Sequence, residues 1–117
     1  MKKLKAAVVG LGMGLEFHTK MLAEHPNFEL VALCDINQEK LNAACEKYGV
    51  KGYTDYNTLI EESGIDLVVI ASPTHFHRDH SIFAMEHGID VFLEKPMANN
   101  QQDAQDIAAC MQRTGRI

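Results

Sequence analysis

Leu4-Lys5-Ala6-Ala7-Val8-Val9-Gly10-Leu11-Gly12-Met13-Gly14-Leu15 is the stretch that decides the fold. Leu4 to Val9 is a short apolar run stopped by glycine, the signature of a buried strand. A helix is predicted from about Met13 to His25, with Phe17 and Met21 on one face and Glu16 and Lys20 spaced i,i+4 on another. Pro26 cannot continue that helix. A glycine-rich turn from strand into helix offers backbone amides at a helix N-terminus, and glycine lets that backbone approach a diphosphate closely. Gly10, Leu11, Gly12, Met13 and Gly14 are therefore candidate cofactor-binding residues. The usual fingerprint puts its third small residue at position 15, where this chain has Leu15, and Gly14 stands one place early.

The pattern continues outward as an alternation. Phe28 to Cys34 is a second apolar run ending at Asp35, about 20 residues beyond Gly14. Leu41, Ala44, Cys45 and Tyr48 mark a helix capped by Asn37 and stopped at Gly49. Val50 to Thr54 suits a third strand, and Asp55 caps a brief helix through Leu59 and Ile60 that ends at Ser63-Gly64. Asp66 to Ala71 reads as a strand covered on both faces. A helix from about His75 to His87 is expected to bury Ile82, Phe83 and Met85, followed by a fifth strand from Ile89 to Leu93. The last helix opens with Asn100 and Asp103 as a capping-box-like pair and carries Ala104, Ile107, Ala108 and Met111 on its apolar face. Strands alternating with helices, without hairpins, imply βαβ units and an α/β fold with a doubly wound parallel sheet.

Composition narrows the function classes. The chain has 117 residues, and its 11 Lys plus Arg against 16 Asp plus Glu give a net charge of −5. That field argues against nucleic acid or an anionic membrane as partner. No run approaches the roughly 20 apolar residues of a membrane span, and the apolar stretch after the basic start is too short for a signal peptide. Cys34, Cys45 and Cys110 are widely spaced and form no CxxC pair, so they read as reduced, mostly buried thiols of a cytoplasmic protein.

Asp35 is the second candidate in the same site. A carboxylate there can accept hydrogen bonds from both adenine-ribose hydroxyls and repel a 2′-phosphate, which favours NAD over NADP. No Lys or Arg follows Asp35 until Lys40.

Two further segments follow strands. His75-Phe76-His77-Arg78-Asp79-His80 has the outline of the HxHxDH signature of metallo-β-lactamase-like zinc hydrolases. That reading needs more ligands downstream, where only His87 remains, and it needs the Gly-Gly pair that Ser81-Ile82 replaces. The plainer expectation is that His75, His80 and His87 form a solvated helix face, with His87 at a helix C-terminus. Glu94-Lys95-Pro96 places a charged pair at the carboxyl end of a buried strand, where doubly wound sheets bind ligands. A lysine there can hydrogen-bond an alcohol or carbonyl under oxidation or reduction, so Lys95 is the candidate catalytic residue.

Together, Gly10-Leu11-Gly12 with His18, Asp35, Ser72-Pro73-Thr74 with His77, and Glu94-Lys95-Pro96 resemble the glucose–fructose oxidoreductase / inositol dehydrogenase (Gfo/Idh/MocA) family, whose motifs read GxGxxGxxH, TPxxxH and EKP. The resemblance covers essentially the whole chain and only the family's N-terminal, Rossmann half. It implies that Ser72, Pro73, Thr74 and His77 line the cofactor cleft, that Glu94, Lys95 and Pro96 flank the nicotinamide, and that Lys95 contacts the nicotinamide ribose and the reacting hydroxyl. It implies hydride transfer between NAD(P) and a sugar, polyol or related small alcohol or carbonyl. The family's second α/β domain, with its DxxxH acid–base pair and much of its homo-oligomer interface, would begin beyond residue 117. Residues 1–117 are thus expected to be an NAD(P)-binding domain that binds nucleotide without turnover. The other class of protein with these features would be a stand-alone nucleotide-binding or redox-sensing module.

Overall fold

The computed structural model of the chain describes residues 3–10, 15–71, 76–93 and 101–115. Five strands, β1 (Leu4–Val9), β2 (Phe28–Cys34), β3 (Lys51–Tyr53), β4 (Leu67–Ile70) and β5 (Asp90–Leu93), alternate with five helices. The helices are α1 (Leu15–Glu24), α2 (Gln38–Tyr48), α3 (Tyr56–Glu62), α4 (His77–Glu86) and α5 (Gln101–Thr114). All strand pairs are parallel, in the order β3-β2-β1-β4-β5. This is the doubly wound sheet expected from the alternation.

Side-chain parity along the central strands explains why helices cover both faces. Ala7 and Val9 of β1 join Val68 and Ile70 of β4 in one core with Tyr56, Leu59 and Ala84 from α3 and α4. Ala6 and Val8 point the other way and pack with Val69, Leu22 and Leu41 from β4, α1 and α2. Successive residues face opposite sides, so a strand apolar at every position must be roofed twice. A bulge breaks the register between Ala6 and Ala7, which pair with Leu30 and Ala32. The extra residue, Val31, packs on the same side as Ala32.

The caps form where the sequence places them. Asn37 accepts from the Lys40 amide, Asp55 accepts from the Thr58 amide, and Gly49 closes α2 in a left-handed conformation at φ 67°. At Gly52 of β3 an added Cβ would meet Cys45 Sγ at 2.8 Å and Leu41 Cγ at 3.0 Å, so the seat of α2 on the sheet requires glycine there.

Three helical faces differ from the expectation. Among the described side chains of α1, Thr19 and Leu22 are buried and Met21 is exposed, while the Phe17 side chain lies outside the described residues. In α4 the buried stripe is His77, Ser81, Ala84 and Met85, with Ile82 and Phe83 only partly covered. Two of those four residues are polar, so an apolar-residue pattern cannot locate the stripe. In α5 Ile107 is buried as expected, with Ala104 and Met111 partly covered, but Ala108 is exposed and Cys110 is buried instead. The reason is the partner: α5 packs against Met85 and Ile82 of α4. Ion pairs hold the two helices side by side, Arg78 to Asp106 at 2.8 Å near one end and Arg113 to Glu86 at 2.9 Å near the other. Asn100, the expected cap of α5, lies outside the described residues.

Candidate functional site

The chain leaves β3 on one side of β1 and enters β4 on the other, so the strand order reverses at β1. Such a switch point opens a crevice beyond the carboxyl ends of the strands, the usual ligand site of open α/β sheets. Gly10 follows β1 with φ 92°, a conformation that a side chain would strain, and its amide donates to the Cys34 carbonyl at 2.8 Å. Across the switch, the Ala71 amide donates to the Val9 carbonyl at 2.8 Å. The ends of β1, β2 and β4 are thereby locked side by side.

Of the candidates from the sequence, Gly10 and Asp35 directly follow β1 and β2, and His77 opens α4. Gly10, Asp35 and His77 are described directly. Leu11, Gly12, Met13, Gly14, Ser72, Pro73, Thr74, Glu94, Lys95 and Pro96, together with Leu15's side chain and His75, lie outside the described residues.

Asp35 sits one residue past β2, where its amide donates to the Tyr53 carbonyl at 3.2 Å. Its Oδ1 accepts from the Asn37 amide at 2.7 Å. This Asx-type bond fixes the carboxylate at the strand end and leaves the Asn37 side chain to cap α2. Ile36, between them, is 88% exposed. Sequence reasoning passed over it, because it falls between a strand and a helix and belongs to neither periodicity. Its position next to Asp35 was the available signal. Beneath them, burial pushes the Cys34 thiol up to about 12, and the charges of Asp35 and Asp55 add to the shift.

The histidines of α4 divide. His77 is buried at 1% exposure in the first turn, one turn from Ser81, whose Oγ is buried without a hydrogen-bond partner among the described residues. His80 corrects the expectation of a solvated face. Its ring stacks on Tyr56 at 3.9 Å between centroids and on Phe76 at 5.3 Å, and the Tyr56 hydroxyl donates to the His80 carbonyl at 2.6 Å. His87 is exposed at the end of α4, its Nδ1 donating to the Phe83 carbonyl at 2.8 Å. Asp79 is engaged by Arg78 at 2.7 Å, and among the described residues no three His, Cys, Asp or Glu side chains are grouped to hold a metal.

Burial lowers the His80 imidazole to about 4, with Asp79 opposing the shift and His77 reinforcing it. A folded-state value below the ordinary 6.5 means that protonation favours the unfolded chain. The stacked neutral ring contributes its full stability above about pH 6.5 and loses it progressively as pH falls towards 4. The thermal midpoint is expected to drop across that window. His80→Gln, which does not titrate, should flatten the drop in a melting series at fixed ionic strength. An unchanged slope would assign the acid limb to other groups.

With this geometry in view, comparison with known proteins is decisive. Residues 4–117 match the family model described as "Oxidoreductase family, NAD-binding Rossmann fold" (GFO_IDH_MocA). This chain belongs to the Gfo/Idh/MocA oxidoreductase family. Among curated Gfo/Idh/MocA-type relatives, inositol 2-dehydrogenase of Salmonella typhimurium is 35% identical over 116 residues, covering 97% of this chain and 34% of the relative. Among solved structures, myo-inositol 2-dehydrogenase from Lactobacillus plantarum superposes with a TM-score of 0.94 at 34% identity, covering 99% of this chain and 35% of that one. Scyllo-inositol dehydrogenase from Lactobacillus casei, crystallised with NAD(H) and scyllo-inositol, gives 0.93 at 26% identity, covering 97% and 34%. The chain spans about a third of the length of these relatives. No helix among the described residues is long and apolar enough to cross a membrane.

Proposed function

We propose that this chain is the NAD-binding part of a longer dehydrogenase acting on a sugar, a polyol or a related small alcohol or carbonyl. The observation that carries the reading is Asp35, a carboxylate held by the Asn37 amide at the end of β2, beside a crevice opened by the strand order. The described residues fit a dinucleotide. Gly10 gives the backbone the conformation needed after β1, Asp35 offers acceptors for the two adenine-ribose hydroxyls, and exposed Ile36 offers an apolar surface for the adenine. Leu11, Gly12, Met13 and Gly14 would supply amides to the diphosphate, and Ser72, Pro73, Thr74 and His77 would form the opposite wall. When bound, the nicotinamide supplies the hydride chemistry.

Lys95, flanked by Glu94 and Pro96 after β5, would hydrogen-bond the reacting oxygen through Nζ and stabilise charge developing there. Specificity contacts and the homo-oligomer interface would lie in the remaining two-thirds of the protein. The three free thiols agree with a cytoplasmic location. NAD and NADP titrated calorimetrically into the chain test the reading. NAD is expected to bind more tightly, without sustained turnover of inositol or glucose. Absence of nucleotide binding would reject the proposal, and equal or tighter NADP binding would reject the role of Asp35.

A further inference from the structure

We propose that Asp55, besides capping α3, is a second determinant of dinucleotide choice that acts at a distance on a 2′-phosphate; this rests on the nucleotide reading above. Cys34 of β2 pairs with Tyr53 of β3, and the Asp35 amide donates to the Tyr53 carbonyl at 3.2 Å. Asp55 follows two residues later, so the two neighbouring strands end with Asp35 and Asp55 at the same edge of the sheet. The cap fixes the second charge, because Asp55 Oδ2 accepts from both the amide (3.2 Å) and the hydroxyl (2.7 Å) of Thr58. The buried Cys34 thiol registers both carboxylates, since burial is the larger cause of its upward shift and Asp35 and Asp55 each add to it.

Lys51 of β3 brings a cation near this edge, its Nζ 5.1 Å from the Tyr53 ring centroid. No Lys or Arg occurs from Ile36 to Glu39, where Glu39 adds another negative charge, or from Gly52 to His77. A ribose seated on Asp35 would hold its 2′ position about 10 Å from Asp55, roughly two strand spacings. NAD presents a neutral hydroxyl there, whereas NADP presents a phosphate of about −2 near pH 8. Coulomb repulsion at that range, with screening, corresponds to about a two- to fivefold penalty on NADP at low ionic strength. Asp35 acts by contact and Asp55 by field, so their effects should be separable.

Asp55→Asn keeps a side-chain oxygen for the Thr58 amide and removes the charge, and asparagine caps helices as well as aspartate. The readout is the ratio of NADP to NAD dissociation constants, measured by displacement at pH 8 in about 20 mM and about 500 mM salt. It is taken for Asp55→Asn in the wild-type chain and in an Asp35→Asn background, with Asp55→Ser as an alternative capping variant. The expected result is a two- to fivefold shift of the ratio towards NADP at low salt, shrinking towards unity at high salt. An unchanged low-salt ratio overturns the inference, as does equal weakening of both nucleotides, which would mark a purely structural cap. A wild-type chain that binds neither nucleotide overturns the nucleotide reading itself, and this inference with it.

Discussion

Asp35→Ala is expected to weaken NAD binding by about 10- to 100-fold while NADP affinity falls far less. Hydrogen bonds to a charged group contribute about 1.5–3 kcal/mol each, and every 1.4 kcal/mol is tenfold in affinity. Two such bonds to the ribose, partly replaced by water in the variant, give the range. The carboxylate also organises its own surroundings, since its Oδ1 accepts from the Asn37 amide at 2.7 Å. Asp35→Asn separates the two roles. It retains an oxygen for Asn37 and loses the charge, so it should recover the local turn and still bind NAD about tenfold more weakly than wild type. Calorimetry with both nucleotides, beside melting curves for each variant, distinguishes loss of contact from loss of fold. An alanine variant with unaltered NAD affinity would remove Asp35 from the site.

Tyr56→Ala should produce the largest loss of stability among these substitutions, about 3–5 kcal/mol. Tyr56 is buried in the core on the α3–α4 side of the sheet, stacks on His80 with 19° between ring planes, and packs against Phe83. Its hydroxyl reaches the His80 carbonyl at 2.6 Å, so one side chain ties α3 to α4 by both packing and a hydrogen bond. Removing the ring leaves a cavity between two helices and exposes the thiol side of β2. Tyr56→Phe keeps the ring and removes only the hydroxyl, at about 1 kcal/mol. Denaturant titration should show this order, with the alanine variant several-fold worse. Equal losses for both variants would mean that the ring stack contributes little beyond the hydroxyl.

Much of the architecture could be read from the chain because its punctuation is local. Gly10 and Asp35 close the first two strands, Asn37 and Gly49 bracket α2, and Asp55 opens α3, each through chemistry confined to a few neighbouring residues. What escaped was set by distant partners. The burial of Cys110 in place of Ala108 on α5 follows from packing against Met85 and Ile82 of α4, and α4 buries His77 and Ser81, which no hydrophobic pattern counts. His80 passed for a surface residue because its stacking partner, Tyr56, lies on a different helix. Of the proposed nucleotide site, Asp35 was legible from its spacing to the glycines. Ile36 and Asp55 were not, since one has no periodic partner and the other already had a role as a cap.

The buried sulfur of Cys34 has a consequence for the chemistry of the living cell. A thiol pushed up to about 12 carries on the order of one thiolate in 10⁵ molecules at neutral pH, and only the thiolate reacts readily with peroxides or electrophiles. Burial, with the charges of Asp35 and Asp55 adding to it, thus keeps Cys34 as the protonated thiol, so that a burst of peroxide is expected to leave this sulfur unchanged.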